Sequence, residues 1–266
     1  MSELPLWLLP LRAAAEGVTA ADLVRYAPVV PPPGGRRSAV LILFADGPDG
    51  PDVLLIERSE QMRKHAGQPA FPGGATDPDD DGPADTALRE AVEEVGLDRA
   101  GVRVVALLPE LYLPPTGFVV TPVLAWWERP APVRVVDTGE VARVERVPVA
   151  ELVDPANRFL VRHPSGFVGP AFDVRGMVVW GFTAGLLDRV LEMGGWAAPW
   201  DRDDVRELPR RTLELASRGL PPGYRLDLPG AGPDDDGPAA EDVLPPGSEE
   251  PGDDAGLTGT PGTVLP

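Results

Sequence analysis

The stretch "REAVEEVGL" (89–97) sets three glutamates, Glu90, Glu93 and Glu94, close together between apolar residues. Wound as an α-helix at about 100° per residue, Glu90 at 0° puts Glu94 near 40° and Glu93 near 300°. Leu88, Ala91, Val92 and Val95 spread over roughly 100–200°, the opposite side. One face is therefore predicted to meet a core and the other to carry a compact acidic patch. The helix is expected from about Pro83 to Val95, with Pro83 in its first turn and Gly96 as its C-terminal cap. Like charges at this spacing cost a few tenths of a kcal/mol per pair on an exposed helix, and more as the dielectric falls. Arg89, one helical turn from Glu93, can pair with it, so a solvated acidic face is one reading. A divalent cation is the other, because clustered carboxylate oxygens suit hard ions such as Mg²⁺ or Mn²⁺.

Outward from the helix the chain alternates element types. "SAVLILFAD" (38–46) and "DVLLIER" (52–58) read as neighbouring strands joined by "GPDGP". A glycine- and aspartate-rich loop covers 65–82 and holds "FPGG" (71–74), whose glycines allow close backbone approach to a metal or phosphate. "VRVVALLPELYL" (102–113), "GFVVTPVLAWWE" (117–128) and "EVARVERVPV" (140–149) are further strand candidates. Residues 178–193 have helical spacing, and a last helix is expected near 205–217. Strands on both sides of a central helix indicate a mixed α/β domain.

Four regions follow: a helical N-terminal segment and Pro/Gly linker (1–33), the main domain (34–200), a helical extension (201–228) and an acidic tail (229–266). In the tail, 16 of 38 residues are Pro or Gly and every charge is negative, a composition expected to stay disordered. The N-terminal run, interrupted by two prolines and led by Glu3, reads as a short amphipathic helix packed on the domain rather than a signal peptide.

Charge narrows the partners. The net charge is −18, and the ten acidic residues after Arg225 leave 24 basic and 32 acidic residues before them, a net of −8. That speaks against general nucleic-acid binding, which needs a basic face, and no apolar run approaches membrane-spanning length. With no cysteine there is no disulfide or thiolate chemistry, which fits a reducing, cytoplasmic compartment. An anionic small molecule would need locally placed arginines or bound cations.

Gly-Gly, an acidic loop and Arg-Glu-x-x-Glu-Glu-x-Gly together resemble the Nudix hydrolase signature, G-x5-E-x7-R-E-U-x-E-E-x-G-U with U apolar. The right half is complete from Arg89 to Leu97. The left half departs: Gly74 to Arg89 is one residue longer, and the first acid falls on Asp80 or Asp81. Just upstream, "LLIERSEQMRKHAGQPAFPGG" (54–74) resembles the extension of Nudix enzymes that cleave coenzyme A, with Arg58, Ser59, Arg63, Gly67, Phe71, Pro72, Gly73 and Gly74 in place and Ile56 where threonine is usual.

The resemblance implies an α/β/α sandwich with a mixed sheet. It also implies metal-dependent hydrolysis of the pyrophosphate of coenzyme A or a derivative, giving 3′,5′-ADP and 4′-phosphopantetheine or its acyl form. It assigns Glu90, Glu93, Glu94 and a Gly74 carbonyl to Mg²⁺ or Mn²⁺. Arg89 would hold the glutamates, and Arg58, Ser59, Arg63, Gly67, Phe71 and Gly73 would serve the substrate. Arginines 58 and 63 can meet phosphates or pair with the acidic loop or helix. The general base is a helix glutamate or Glu140, whose other reading is a strand-edge charge. His65 and His163 are not required. The alternatives are another nucleoside diphosphate derivative (ADP-ribose, NADH or a dNTP), or a ligand sensor without turnover. The chain is a monomer or a homodimer on these grounds.

Overall fold

The computed structural model describes residues 3–23, 34–113, 116–164, 166–216 and 218. In chain order these form α1 (Leu9–Ala15), α2 (Ala20–Leu23), β1 (Arg36–Gly47), β2 (Gly50–Arg58), β3 (Pro69–Ala70), β4 (Gly73–Ala75) and α3 (Pro83–Val95). Then come β5 (Val102–Leu107), β6 (Leu111–Leu113), β7 (Phe118–Trp127), β8 (Val141–Pro148), α4 (Val149–Val153), β9 (Arg158–Arg162), β10 (Val168–Val174) and β11 (Met177–Val179). Helix α5 (Gly181–Met193), β12 (Val205–Glu207) and α6 (Arg210–Ala216) complete the order.

The main sheet runs β3-β2-β1-β7-β5, with β4 also on β1, β6 on β7 and β8 on β2. It is mixed, because β1 and β7 are parallel while their other neighbours are antiparallel. Successive side chains leave a strand on opposite faces, and here both faces are covered. Ala39, Leu41, Leu43 and Ala45 of β1 meet Ala87, Ala91 and Val95 of α3. Ile42 and Phe44 meet the other core, with Leu8 and Leu11 at the N-terminus and Leu186, Leu187 and Leu191 of α5. That burial on two sides is why β1 and β2 read as unbroken apolar runs. The result is a helix–sheet–helix sandwich.

One detail of register positions the site. β1 gives residues 44–47 to β2 but residues 38–40 to β4, and between them the Leu41 amide donates to Pro72 O at 2.8 Å. The glycine pair is thereby laid against α3.

Several expectations change. Residues 102–113 are two strands, not one, separated by a segment containing Pro109, although both lie on β7. Residues 205–217 begin with a strand, β12, which pairs in parallel with β9, and only Arg210–Ala216 is helix. Thus part of the expected C-terminal extension belongs to a second, four-stranded sheet, β11-β10-β9-β12. Its strands are short, and Pro170 lies within β10, opposite Leu160; a proline inside a strand pattern hides it from sequence reading. The glycine-rich 65–82 loop contains β3 and β4. Most of the Pro/Gly linker and all of the acidic tail (229–266) lie outside the described residues.

Candidate active site

Helix α3 is exposed on only part of the side expected to face solvent. Glu93 is open, but Glu94 is 1% exposed. Val92, expected on the core side, is 37% exposed. The helix has three surroundings rather than two: Ala87, Ala91 and Val95 meet the sheet, Glu90 and Glu94 meet β4, and Glu93 and Val92 meet solvent. A wheel separates apolar from polar positions but does not show what lies against the polar ones.

The glycines make that approach possible. The Gly73 amide donates to Glu94 Oε2 at 3.1 Å. Gly73 has φ +154, and a Cβ there would stand 2.3 Å from Ala39 O. A Cβ on Gly74 would stand 2.4 Å from Glu90 Oε1. The carboxylate of Glu90 therefore lies directly on the glycine backbone.

Arg89 organises the other side. Its Nε and Nη2 donate to the two oxygens of Asp80 at 2.9 and 3.1 Å, and Nη2 also donates to Ala75 O at 3.0 Å. Its Nη1 donates to Glu90 Oε1 and to Glu93 Oε2, both at 3.1 Å. Asp80 also accepts from Thr86 Oγ1 at 2.8 Å and from the Asp77 amide at 2.8 Å. The structure thus sets Asp80, not Asp81, opposite the signature arginine. The Arg89 guanidinium and these hydrogen bonds hold the Asp80 carboxyl well below the usual carboxylate range, and Asp80 raises Arg89 further.

Arg58, at the end of β2, points its Nη1 toward Glu94 Oε1 at 3.8 Å, too long for a hydrogen bond. Both atoms are buried and lack a hydrogen-bond partner. Burial pushes the Glu94 carboxyl up to about 8, against Arg58 and the Gly73 amide, with Glu90 and Glu140 adding to it. Burial also raises Glu90, although Arg89 opposes the rise.

Among the described residues, no three acidic or histidine side chains are gathered in ligand geometry, since Glu93 is turned to Arg89. Mg²⁺ typically takes one or two carboxylates and completes its shell with water and substrate phosphate. Glu90 and Glu94, an oxygen-only set beside a glycine backbone and with one buried carboxylate oxygen unpaired, fit such an ion.

The remaining expected residues divide. Glu140 is exposed, in a turn where Asp137 Oδ1 accepts from the Gly139 and Glu140 amides at 2.8 and 3.3 Å. Its charge reaches both Glu90 and Glu94. The Ser59 amide donates to Glu140 O at 2.7 Å, and Ser59 Oγ accepts from the Gln61 amide at 3.3 Å, so Ser59 ties the 59–68 loop to the Glu140 turn. Arg63 is exposed and has no hydrogen bond or ion pair among the described residues. Gly67, at φ +65, donates to Arg58 O. Phe71 is 2% exposed within the α5-side core, where its side chain anchors the glycine loop. His65 lies 3.0 Å from Gln68 Oε1, and His163 stacks on Trp180, away from the acids. Asp137 was missed by sequence reading, although "DTGE" carries the Asx-turn pattern that would have found it.

The NUDIX domain family matches residues 35–165. The chain is 48% identical over 103 residues to a protein described as an uncharacterized Nudix hydrolase, NudL, of Klebsiella aerogenes, covering 39% of this chain and 84% of that one. It is 37% identical over 167 residues to the protein of the same description in Escherichia coli (strain K12), covering 60% of this chain and 83% of that one. Among solved structures it is similar to a Nudix hydrolase from M. Smegmatis, RenU, with TM-score 0.44 and 22% identity over 63% of this chain and 91% of the other.

Proposed function

This chain belongs to the Nudix hydrolase family, and from that premise we propose that it hydrolyses the pyrophosphate bond of coenzyme A or a derivative. The family supports hydrolysis of a phosphoric anhydride in a nucleoside diphosphate derivative. The finer reading rests on one observation: Arg58, from the 54–74 motif, reaches the buried Glu94 of the acidic helix with neither facing atom hydrogen-bonded. The motif and the acids thus meet at one place.

In this reading Glu90, Glu94 and the Gly74 carbonyl would hold Mg²⁺ or Mn²⁺, joined by Glu93 on leaving Arg89. Such an ion supplies charge neutralisation for the pyrophosphate and acidifies water. Arg89, fixed by Asp80, keeps Glu90 in place and holds Glu93 while no ion is bound. Arg58 and the free Arg63 bind phosphate oxygens with planar, permanently charged groups. Glu140 takes the proton from the water that attacks phosphorus. The products are 3′,5′-ADP and 4′-phosphopantetheine or its acyl form.

The test is incubation of the purified protein with coenzyme A and Mg²⁺ or Mn²⁺, with chromatography for 3′,5′-ADP. Arg58→Ala with Arg63→Ala is expected to abolish cleavage of coenzyme A but spare any cleavage of ADP-ribose. Cleavage of ADP-ribose or NADH with none of coenzyme A would overturn the substrate assignment.

A further inference from the structure

Helix α6 lies beyond the residues that match the family, yet it rests on the 59–68 loop. Glu60 accepts from Arg211 at three places: Nε to Oε1 at 3.2 Å, Nη2 to Oε1 at 2.8 Å and Nη2 to Oε2 at 2.7 Å. The Glu60 carbonyl accepts from Arg218 Nη1 at 2.9 Å. Leu215 of α6 is 6% exposed, and a Cβ on Gly67 would stand 2.7 Å from its Cδ1. Gly67 is thus constrained twice, by its left-handed backbone and by the leucine above it.

Apart from α6, the loop is tied outward by the Ser59 amide to Glu140 O at 2.7 Å and anchored by the buried Ala66; its other restraints are internal. Its ends are joined by the Arg58 amide to Gln68 O and the Gly67 amide to Arg58 O, both 3.0 Å, and one turn closes from the Met62 amide to Ser59 O at 3.1 Å. His65 stands at φ +57, a conformation that a non-glycine residue keeps only when its surroundings hold it. An isolated exposed ion pair contributes little, but a bidentate pair joined to a second arginine and a buried leucine is a stronger device.

We infer that α6 is a clamp on the 59–68 loop, with Arg211 and Leu215 as positioning residues that set how Arg63 is presented to the anionic substrate. The inference rests on the reading of that loop as the coenzyme A recognition segment. Its effect belongs on substrate binding, since Arg211, Arg218 and Leu215 meet Glu60 and Gly67 of the loop rather than the acidic helix.

The experiment uses the full chain with Arg211→Glu, Glu60→Arg, the double exchange, and Leu215→Ala. Amide exchange is followed over residues 59–68, and KM and kcat are measured on coenzyme A. Arg211→Glu and Leu215→Ala are each expected to speed exchange at Met62 and Gly67 about tenfold. They should raise KM about fivefold, with kcat changed by less than about twofold. The double exchange restores both quantities, which separates positioning from general loss of structure. Unchanged exchange and KM in both single variants would overturn the clamp. So would faster exchange with KM unmoved. Arg58→Ala with Arg63→Ala is the control: if it weakens coenzyme A cleavage while the α6 variants do not, only the clamp fails, and if it too has no effect, the loop assignment fails.

Discussion

Two regions of the molecule set an arginine against a buried carboxylate, and they are finished differently. Where the second sheet meets α5, Arg158 hydrogen-bonds Asp188 directly, and its guanidinium stacks over Phe172 at 4.9 Å and Trp200 at 4.6 Å. At the end of β2, Arg58 stops 3.8 Å from Glu94, and neither facing atom has a partner. A buried pair offsets its desolvation only with good geometry and additional hydrogen bonds. The first pair has direct contact, although Arg158 Nε is buried without a hydrogen-bond partner. The second lacks such contact and carries a carboxyl that burial raises to about 8. A buried pair whose facing atoms lack hydrogen bonds is a reason to look for a ligand.

The largest test of that contrast is Glu94→Gln. It is expected to cut kcat/KM about a thousandfold, near 4 kcal/mol of transition-state stabilisation, while Tm stays within about 2 °C. Near-normal turnover would remove Glu94 from the site. Asp188→Ala is the mirror experiment: it leaves Arg158 buried without its acid and should destabilise by about 3–5 kcal/mol in urea unfolding. Its activity per folded molecule is expected to match the parent, and a selective loss of kcat would show that the second sheet takes part in the chemistry.

A smaller effect separates the two glycines. A Cβ on Gly74 meets the end of a side chain, Glu90, whereas one on Gly73 meets the backbone of β1. Gly74→Ala is therefore expected to lose about tenfold in kcat/KM with the fold intact, and Gly73→Ala to lose stability first. Equal Tm values for the two would break that distinction.

The smallest effect concerns pH. Arg89 holds Asp80 below its ordinary value of 3.8 in the folded state. The folded protein then binds fewer protons at this group than the unfolded chain does. The stabilisation is present above the ordinary value and is lost as pH falls through the lower, folded one. Asp80→Asn should flatten the acid limb of a Tm-against-pH curve below about pH 4, and an unchanged limb would mean that other carboxylates govern it.

Much of the frame was legible in order along the chain. The runs that became β1, β2 and β7 are apolar because both faces of the sheet are covered, while β8 was legible by its alternation. Pro83 and Gly96 bracket α3 as expected, with Gly96 left-handed at φ +67. The second sheet was not legible: its strands are short, one carries Pro170, and its partners β9 and β12 are joined through a helix and a long connection. The motif gave Phe71 a position without a direction, and its side chain packs in the α5-side core.

The sequence by itself determined which residues could do chemistry at "REAVEEVGL", because side-chain period and residue type are local properties. It also determined that Glu90, Glu93 and Glu94 share one side of a helix. Only the tertiary structure decided that Glu94 is buried under Gly73, that Asp80 rather than Asp81 orients Arg89, and that Arg58 arrives from another strand. Those outcomes depend on which segment lies against the helix, and that is set by the register of β4 on β1, many residues away in the chain. Burial then changes the chemistry of a carboxylate in a way that spacing cannot encode.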